Sequence, residues 1–83
     1  MIDCIDLDET RRLAVMAKIG LLSGRPLGID LVGTLVHAVT YHQRYLKPAT
    51  GVAFGRLLLQ GNQRAVRYLD AIIEQLDIDL DAA

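Results

Sequence analysis

Residues 52–76 read VAFGRLLLQGNQRAVRYLDAIIEQL, and the spacing in this stretch decides the fold. Arg56, Gln60, Gln63, Arg67, Asp70 and Glu74 recur in steps of four and three, and Asp77 continues the series. Phe54, Leu58, Gly61, Ala65, Leu69, Ile72 and Leu76 keep the same rhythm on the opposite side. That is the period of an α-helix with one wet and one dry face. The phase survives Gly61-Asn62, so the spacing predicts one continuous helix over 52–76. The competing reading makes Gly61 a left-handed helix stop and Asn62 the N-cap of the next helix.

Two further helices lie upstream. Asp6 and Glu9 stand three apart, as in a capping box, ahead of a helix over about 7–22. Ser23-Gly24 stops it, and Arg25-Pro26-Leu27-Gly28 makes a turn. Asp30 is a good N-cap for a helix over about 31–46. Its wet stripe is Asp30, Thr34, His37, Tyr41 and Arg44, and its dry stripe is Val32, Leu35, Val39, His42 and Leu46. Lys47-Pro48 ends it, because a residue before proline avoids helical angles. Thr50 can then cap the long helix.

The predicted fold is therefore all-α, a small bundle of three or four helices in one domain over residues 1–83, with a short acidic tail at 77–83. Length supports this, since 83 residues allow one domain with a small core. At 52% hydrophobic before seven glycines are added, such a chain has more apolar surface than it can hide. The first helix shows the excess best. Residues 13–22 are apolar nearly all round, and a helix dry on every side is covered on every side. A second chain over its outer face is the preferred cover, which predicts a homodimer. The alternative is that this helix lies at the centre of a compact bundle. Ile5-Asp6-Leu7-Asp8 and Ile78-Asp79-Leu80-Asp81 echo each other. A helix cap at one end and a frayed tail at the other explain the echo better than two short strands.

Charge is segregated. All nine basic residues lie between Arg11 and Arg67, where Asp30 is the only acid, and nine carboxylates sit outside. One functional reading puts nucleic acid on the basic region, with Arg56, Gln60, Gln63, Arg64 and Arg67 as contacts, because arginine and glutamine can form bidentate bonds to bases. The other reading is balance, the acidic ends lying against basic helices. A pI near 6.0 is low for a nucleic-acid binder and favours balance.

No residue set points to catalysis. His37 and His42 are five apart, about 140° round a helix, and cannot clasp a metal from one face. Ser23 has no evident base, and Cys4 sits among carboxylates that disfavour a thiolate. Gly20, Gly24 and Gly28 lack the Lys-Ser/Thr of a phosphate loop. Gly51 and Gly55 fit a close approach of helices. Tyr41, Tyr45 and Tyr68 with Arg44 and Arg67 have the composition of an interface.

The sequence thus predicts a protein that is not an enzyme and uses no cofactor or metal. The expected role is a protein-binding module, such as an inhibitor, adaptor or regulatory subunit, acting as a homodimer. Val15, Ile19, Leu22, Tyr41 and Tyr45 are the candidate partner or dimer interface. The alternative is a dimeric DNA-binding regulator using the basic third helix. No stretch reaches the roughly 20 apolar residues of a membrane span. With a single cysteine and no basic leader, a cytoplasmic setting is expected. Small chains of this build are common in phages and mobile elements, an expectation with no residue behind it.

Overall fold

The computed structural model describes residues 6–82, apart from the side chain of His42. The chain forms α1 (Leu7–Leu22), α2 (Ile29–Thr40), a 3-10 turn (Tyr41–Gln43), α3 (Pro48–Leu59) and α4 (Ala65–Ala82), with no strand among the described residues. Each boundary has a local cause. The Asp6 carboxylate accepts from the N–H groups of Asp8 (3.0 Å) and Glu9 (3.3 Å), satisfying two of the orphan donors of α1. Glu9 does not reach back to complete a capping box; its carboxylate is held by Arg12. At the other end Gly24 has φ +72°, its N–H donates to Leu21, and the Arg25 N–H donates to Gly20, the two bonds of a Schellman motif.

The same motif ends α3. Gly61 has φ +65°, its N–H donates to Leu58, and the Asn62 N–H donates to Leu57. The Asn62 side-chain oxygen then accepts from the Arg64 N–H at 2.9 Å, as an N-cap does. The expected continuous helix over 52–76 is thus two helices, and the competing reading of Gly61-Asn62 is the one realised. The dry face is nevertheless as expected. Phe54, Leu58, Ala65, Leu69 and Leu76 are fully buried and Ile72 nearly so, while Gly61 is exposed at the corner. Leu58 and Ala65 are seven residues apart, two helical turns, so a corner inserted between them leaves the spacing unchanged.

Three other boundaries differ from expectation. The second helix was expected over 31–46, but it opens at Ile29 and stops at Thr40. The Thr40 hydroxyl donates back to the Val36 carbonyl at 2.7 Å, and Gln43 takes φ +55° in the bend that follows. Pro48 at the first turn, rather than Thr50, opens α3, where its missing N–H costs nothing. The acidic tail expected at 77–83 is helical through Ala82, which also removes the strand reading of its tetrapeptide. Cys4 and Ile5 lie outside the described residues.

The helices pack as two antiparallel pairs. Lys18 meets Asp70 and Arg11 meets Asp77, both at 2.5 Å, so positions seven apart on α1 meet positions seven apart on α4 in reverse order. In the other pair, α3 lays Gly51 and Gly55 against Thr40, Val36 and Val32 of α2. A β-carbon on Gly51 would collide with the Thr40 methyl group, and one on Gly55 would come within 3.2 Å of Val36. The core common to both pairs includes Leu13, Ala14, Ala17 and Leu21 of α1, Leu35 and Val39 of α2, and the buried faces of α3 and α4. The Phe54 ring sits 5.7 Å from the ring of Tyr68, where α3 meets α4. A radius of gyration of 11.9 Å equals the value of about 12 Å for a packed domain of this length.

Removing the Phe54 ring leaves a cavity its neighbours cannot fill, so Phe54→Ala should cost about 3–5 kcal/mol in urea unfolding. Gly61→Ala should cost about 1–2 kcal/mol, because alanine must adopt the left-handed angles of the corner. Backbone carbon shifts over residues 60–63 should be non-helical in the wild-type protein.

Candidate functional site

The buried side of α1 is made of Thr10, Leu13, Ala14, Ala17, Gly20 and Leu21, packed against α4 and α2. Its opposite side is apolar as well and has no cover within the described chain. Met16 is 45% exposed, Ile19 55% and Leu22 61%, with Val15 half-buried beside them. At 100° per residue these four share one stripe. The other helices therefore cover α1 on one side only, and the arrangement with this helix at the centre of the bundle is not the one found. Arg12 also lies on the stripe and is pinned there: Nε donates to Glu9 at 2.9 Å and Nη1 to the Met16 sulfur at 3.2 Å. The hydrogen bond from Arg12 holds the Glu9 carboxyl below its ordinary pKa.

Tyr45 belongs to a different cluster. Its hydroxyl donates to Asp79 Oδ2 at 2.6 Å and accepts from Arg44 Nε at 3.2 Å. Gln75 Nε2 donates to the other Asp79 oxygen at 3.2 Å, and Arg44 Nη2 lies 3.6 Å from Asp79. The Tyr45 hydroxyl, then Gln75 and the Arg44 charge, hold the Asp79 carboxyl below the usual range against the effect of burial. Burial, with the bond to Asp79, pushes the Tyr45 phenol up. Tyr41 is half-buried, its ring 5.9 Å from that of His37 and edge-on to it.

The five candidate interface residues are therefore not brought together. Val15, Ile19 and Leu22 lie together on α1, beside the Lys18–Asp70 pair. Tyr45 meets α4 at Asp79, nine residues further along that helix, about 14 Å away.

The candidate nucleic-acid contacts are all exposed but do not share one helix. Arg56 is on α3, Gln60, Gln63 and Arg64 are in the corner, and Arg67 is in the first turn of α4. Gln63 is already engaged, donating from Nε2 to the Leu21 carbonyl at the end of α1 at 2.7 Å. Arg64 and Arg67 line a shallow groove with Gln63, Tyr68 and Ala71. Tyr68 and Ala71 also line its continuation, which runs to Tyr45, Gln75 and Asp79. Sequence reasoning missed Ala71, Gln75 and Asp79. The four-and-three spacing of residues 64, 67, 68, 71, 75 and 79 was the signal that marks them as one face.

The segregated charges partly fold onto one another, as the balance reading expects. Arg11, Lys18 and Arg44 meet Asp77, Asp70 and Asp79. Arg25, Lys47, Arg56, Arg64 and Arg67 make no ion pair among the described residues. His37 and Ser23 are exposed, and the side chain of His42, expected on the dry face, is outside the described set. Among the described residues no three His, Cys, Asp or Glu side chains converge as metal ligands, and no helix is long and apolar enough to cross a membrane.

An acid whose pKa falls on folding stabilises the folded state while it is ionised. The Asp79 contribution is complete above its unfolded value of about 3.9 and is lost as pH falls through its lower folded value. The melting temperature of the wild-type protein should therefore drop between about pH 5 and pH 3 by more than that of Asp79→Asn, which starts lower at pH 7.

No family model matches the chain, and no curated protein or solved structure is significantly similar to it.

Proposed function

We propose that the protein is a non-catalytic protein-binding module, a small inhibitor, adaptor or regulatory subunit that works as a homodimer. The observation that carries this reading is the apolar stripe of Val15, Met16, Ile19 and Leu22 on α1. Burying one such side chain is worth about 1.5–3 kcal/mol, so a stripe of four on a chain this small is a surface for another polypeptide. The half-buried Tyr45 and the 36% exposed Tyr68 add amphipathic side chains of the kind that dominate protein interfaces.

The second reading is a dimeric DNA-binding regulator, favoured by the exposure of Arg56, Arg64 and Arg67 without ion-pair partners among the described residues. The break at Gly61 and the engagement of Gln63 by Leu21 weigh against it, since they leave a shorter basic track than a continuous third helix would.

Ile19→Glu combined with Leu22→Glu should leave helicity and stability within about 0.5 kcal/mol, because both side chains are already in water. The same double change should abolish capture of a specific protein partner at moderate salt after nuclease treatment. DNA binding with a steep salt dependence, lost when Arg56, Arg64 and Arg67 are all changed to alanine, would reverse the order of the two readings.

A further inference from the structure

The charges of α4 run against its own dipole. Arg64 immediately precedes it and Arg67 is in its first turn, while Glu74, Asp77, Asp79 and Asp81 occupy its C-terminal half. The helix macrodipole favours the reverse. The chain compensates two of these carboxylates, Asp77 through Arg11 and Asp79 through Tyr45 and Arg44. Arg64, Arg67, Glu74 and Asp81 make no ion pair among the described residues, and all four are exposed. At 100° per residue Arg67, Glu74 and Asp81 fall, with Ala71 and Ile78, inside one outward stripe about 80° wide, and Arg64 stands in the turn before it, its carbonyl accepting from the Arg67 N–H. Ala71 lies mid-stripe, with both arginines before it and both carboxylates after it.

A face that is basic on one side of a small residue and acidic on the other complements itself when turned end for end. The geometry points to a second copy of this chain on that face, the two α4 helices packed antiparallel about a two-fold axis at Ala71. Arg67 then lies opposite Glu74 of the partner subunit, and Arg64 faces the turn that carries Ile78 and Asp81. The two macrodipoles oppose, and each acidic C-terminal half gains the positive end it lacks within its own chain. Ala71 is short enough to let the helices approach at the crossing, and the groove beside Tyr68 receives the partner's side chains. A nucleic-acid strand fits less well, since a phosphate chain leaving Arg64 and Arg67 along the helix runs into Glu74 and Asp81. This inference rests on the homodimer reading but moves its two-fold axis from the α1 stripe to α4, leaving the stripe to the other protein that the module binds.

Sedimentation equilibrium on the full chain tests it with two variants, Arg64→Glu/Arg67→Glu and Glu74→Lys/Asp81→Lys. Each alone should raise the dimer Kd at least tenfold, with unchanged circular dichroism because all four side chains are exposed. An equimolar mixture of the two should dimerise again, since one face is then wholly acidic and the other wholly basic. The wild-type Kd should rise with salt. Wild-type-like dimers from both variants, or a mixture that stays monomeric, would overturn the inference. If dimers persist in both variants but vanish in Ile19→Glu/Leu22→Glu, the two-fold lies on α1; this inference then fails while the homodimer stands. A wild-type chain that is monomeric at micromolar concentration, with or without a DNA duplex, would sink both.

Discussion

The approach of α3 to α2 at Gly51 sets the geometry of the bundle. A helix surface carrying side chains keeps its neighbour 8–10 Å away, axis to axis. Here one face of α3 offers hydrogen atoms at Gly51 and Gly55, and the Thr40 and Val36 side chains occupy the space so left. The large buried residues of α3 stand on the same side as the two glycines, at positions i+3 and i+7 from Gly51. Phe54 and Leu58 point into the centre and become fully buried, and Phe54 supplies the ring contact to Tyr68. The pair also explains why Thr40, β-branched and a poor helix former, ends α2: its methyl group fills the space over Gly51 while its hydroxyl bonds back to Val36.

The second pair is organised by charge and small residues. Ala14, Ala17 and Gly20 give α1 a slim buried side toward the core. Exposed ion pairs contribute little to stability individually. Lys18–Asp70 and Arg11–Asp77 nevertheless fix the register, because a shift of α4 by one turn would leave all four charges without their partners. Asp77 and Asp79, which look like a solvating tail in the sequence, are therefore part of the packing, on a helix that runs to Ala82. The basic and acidic blocks are each split: some residues close the bundle, and Arg64, Arg67, Glu74 and Asp81 stand exposed on its outside.

Much of this was legible from local chemistry. The limits of α1 follow from Asp6 and Ser23-Gly24, and the buried faces of α2, α3 and α4 follow from their spacing. The corner at Gly61 was masked because its length preserves the helical phase, so periodicity could not register it. The early stop at Thr40 carried no glycine or proline, and Gln43, an ordinary residue, takes the left-handed angle there. The candidate surface was legible in kind more than in place. The apolar excess of residues 13–22 did mark an uncovered stripe on α1. Tyr45 reads in sequence as a neighbour of Tyr41, whereas its hydroxyl bonds across 34 positions to Asp79, a tertiary contact no spacing rule supplies.

The register of α1 and α4 has a topological consequence. Position 18 meets position 70 and position 11 meets position 77, so continuing the same pairing brings Leu7 level with Asp81. The two extremities of the described helices therefore lie side by side, and the bundle is nearly a closed ring of four helices. In a ring the place where the chain is cut is a matter of convention. A few glycines and serines joining residue 82 to residue 6, with new termini opened in the exposed connection around Pro26, would preserve every helix and both antiparallel pairs. Such a rearrangement would read α2, α3, α4, α1 along the chain, carrying the apolar stripe of α1 from the first helix to the last on the same core.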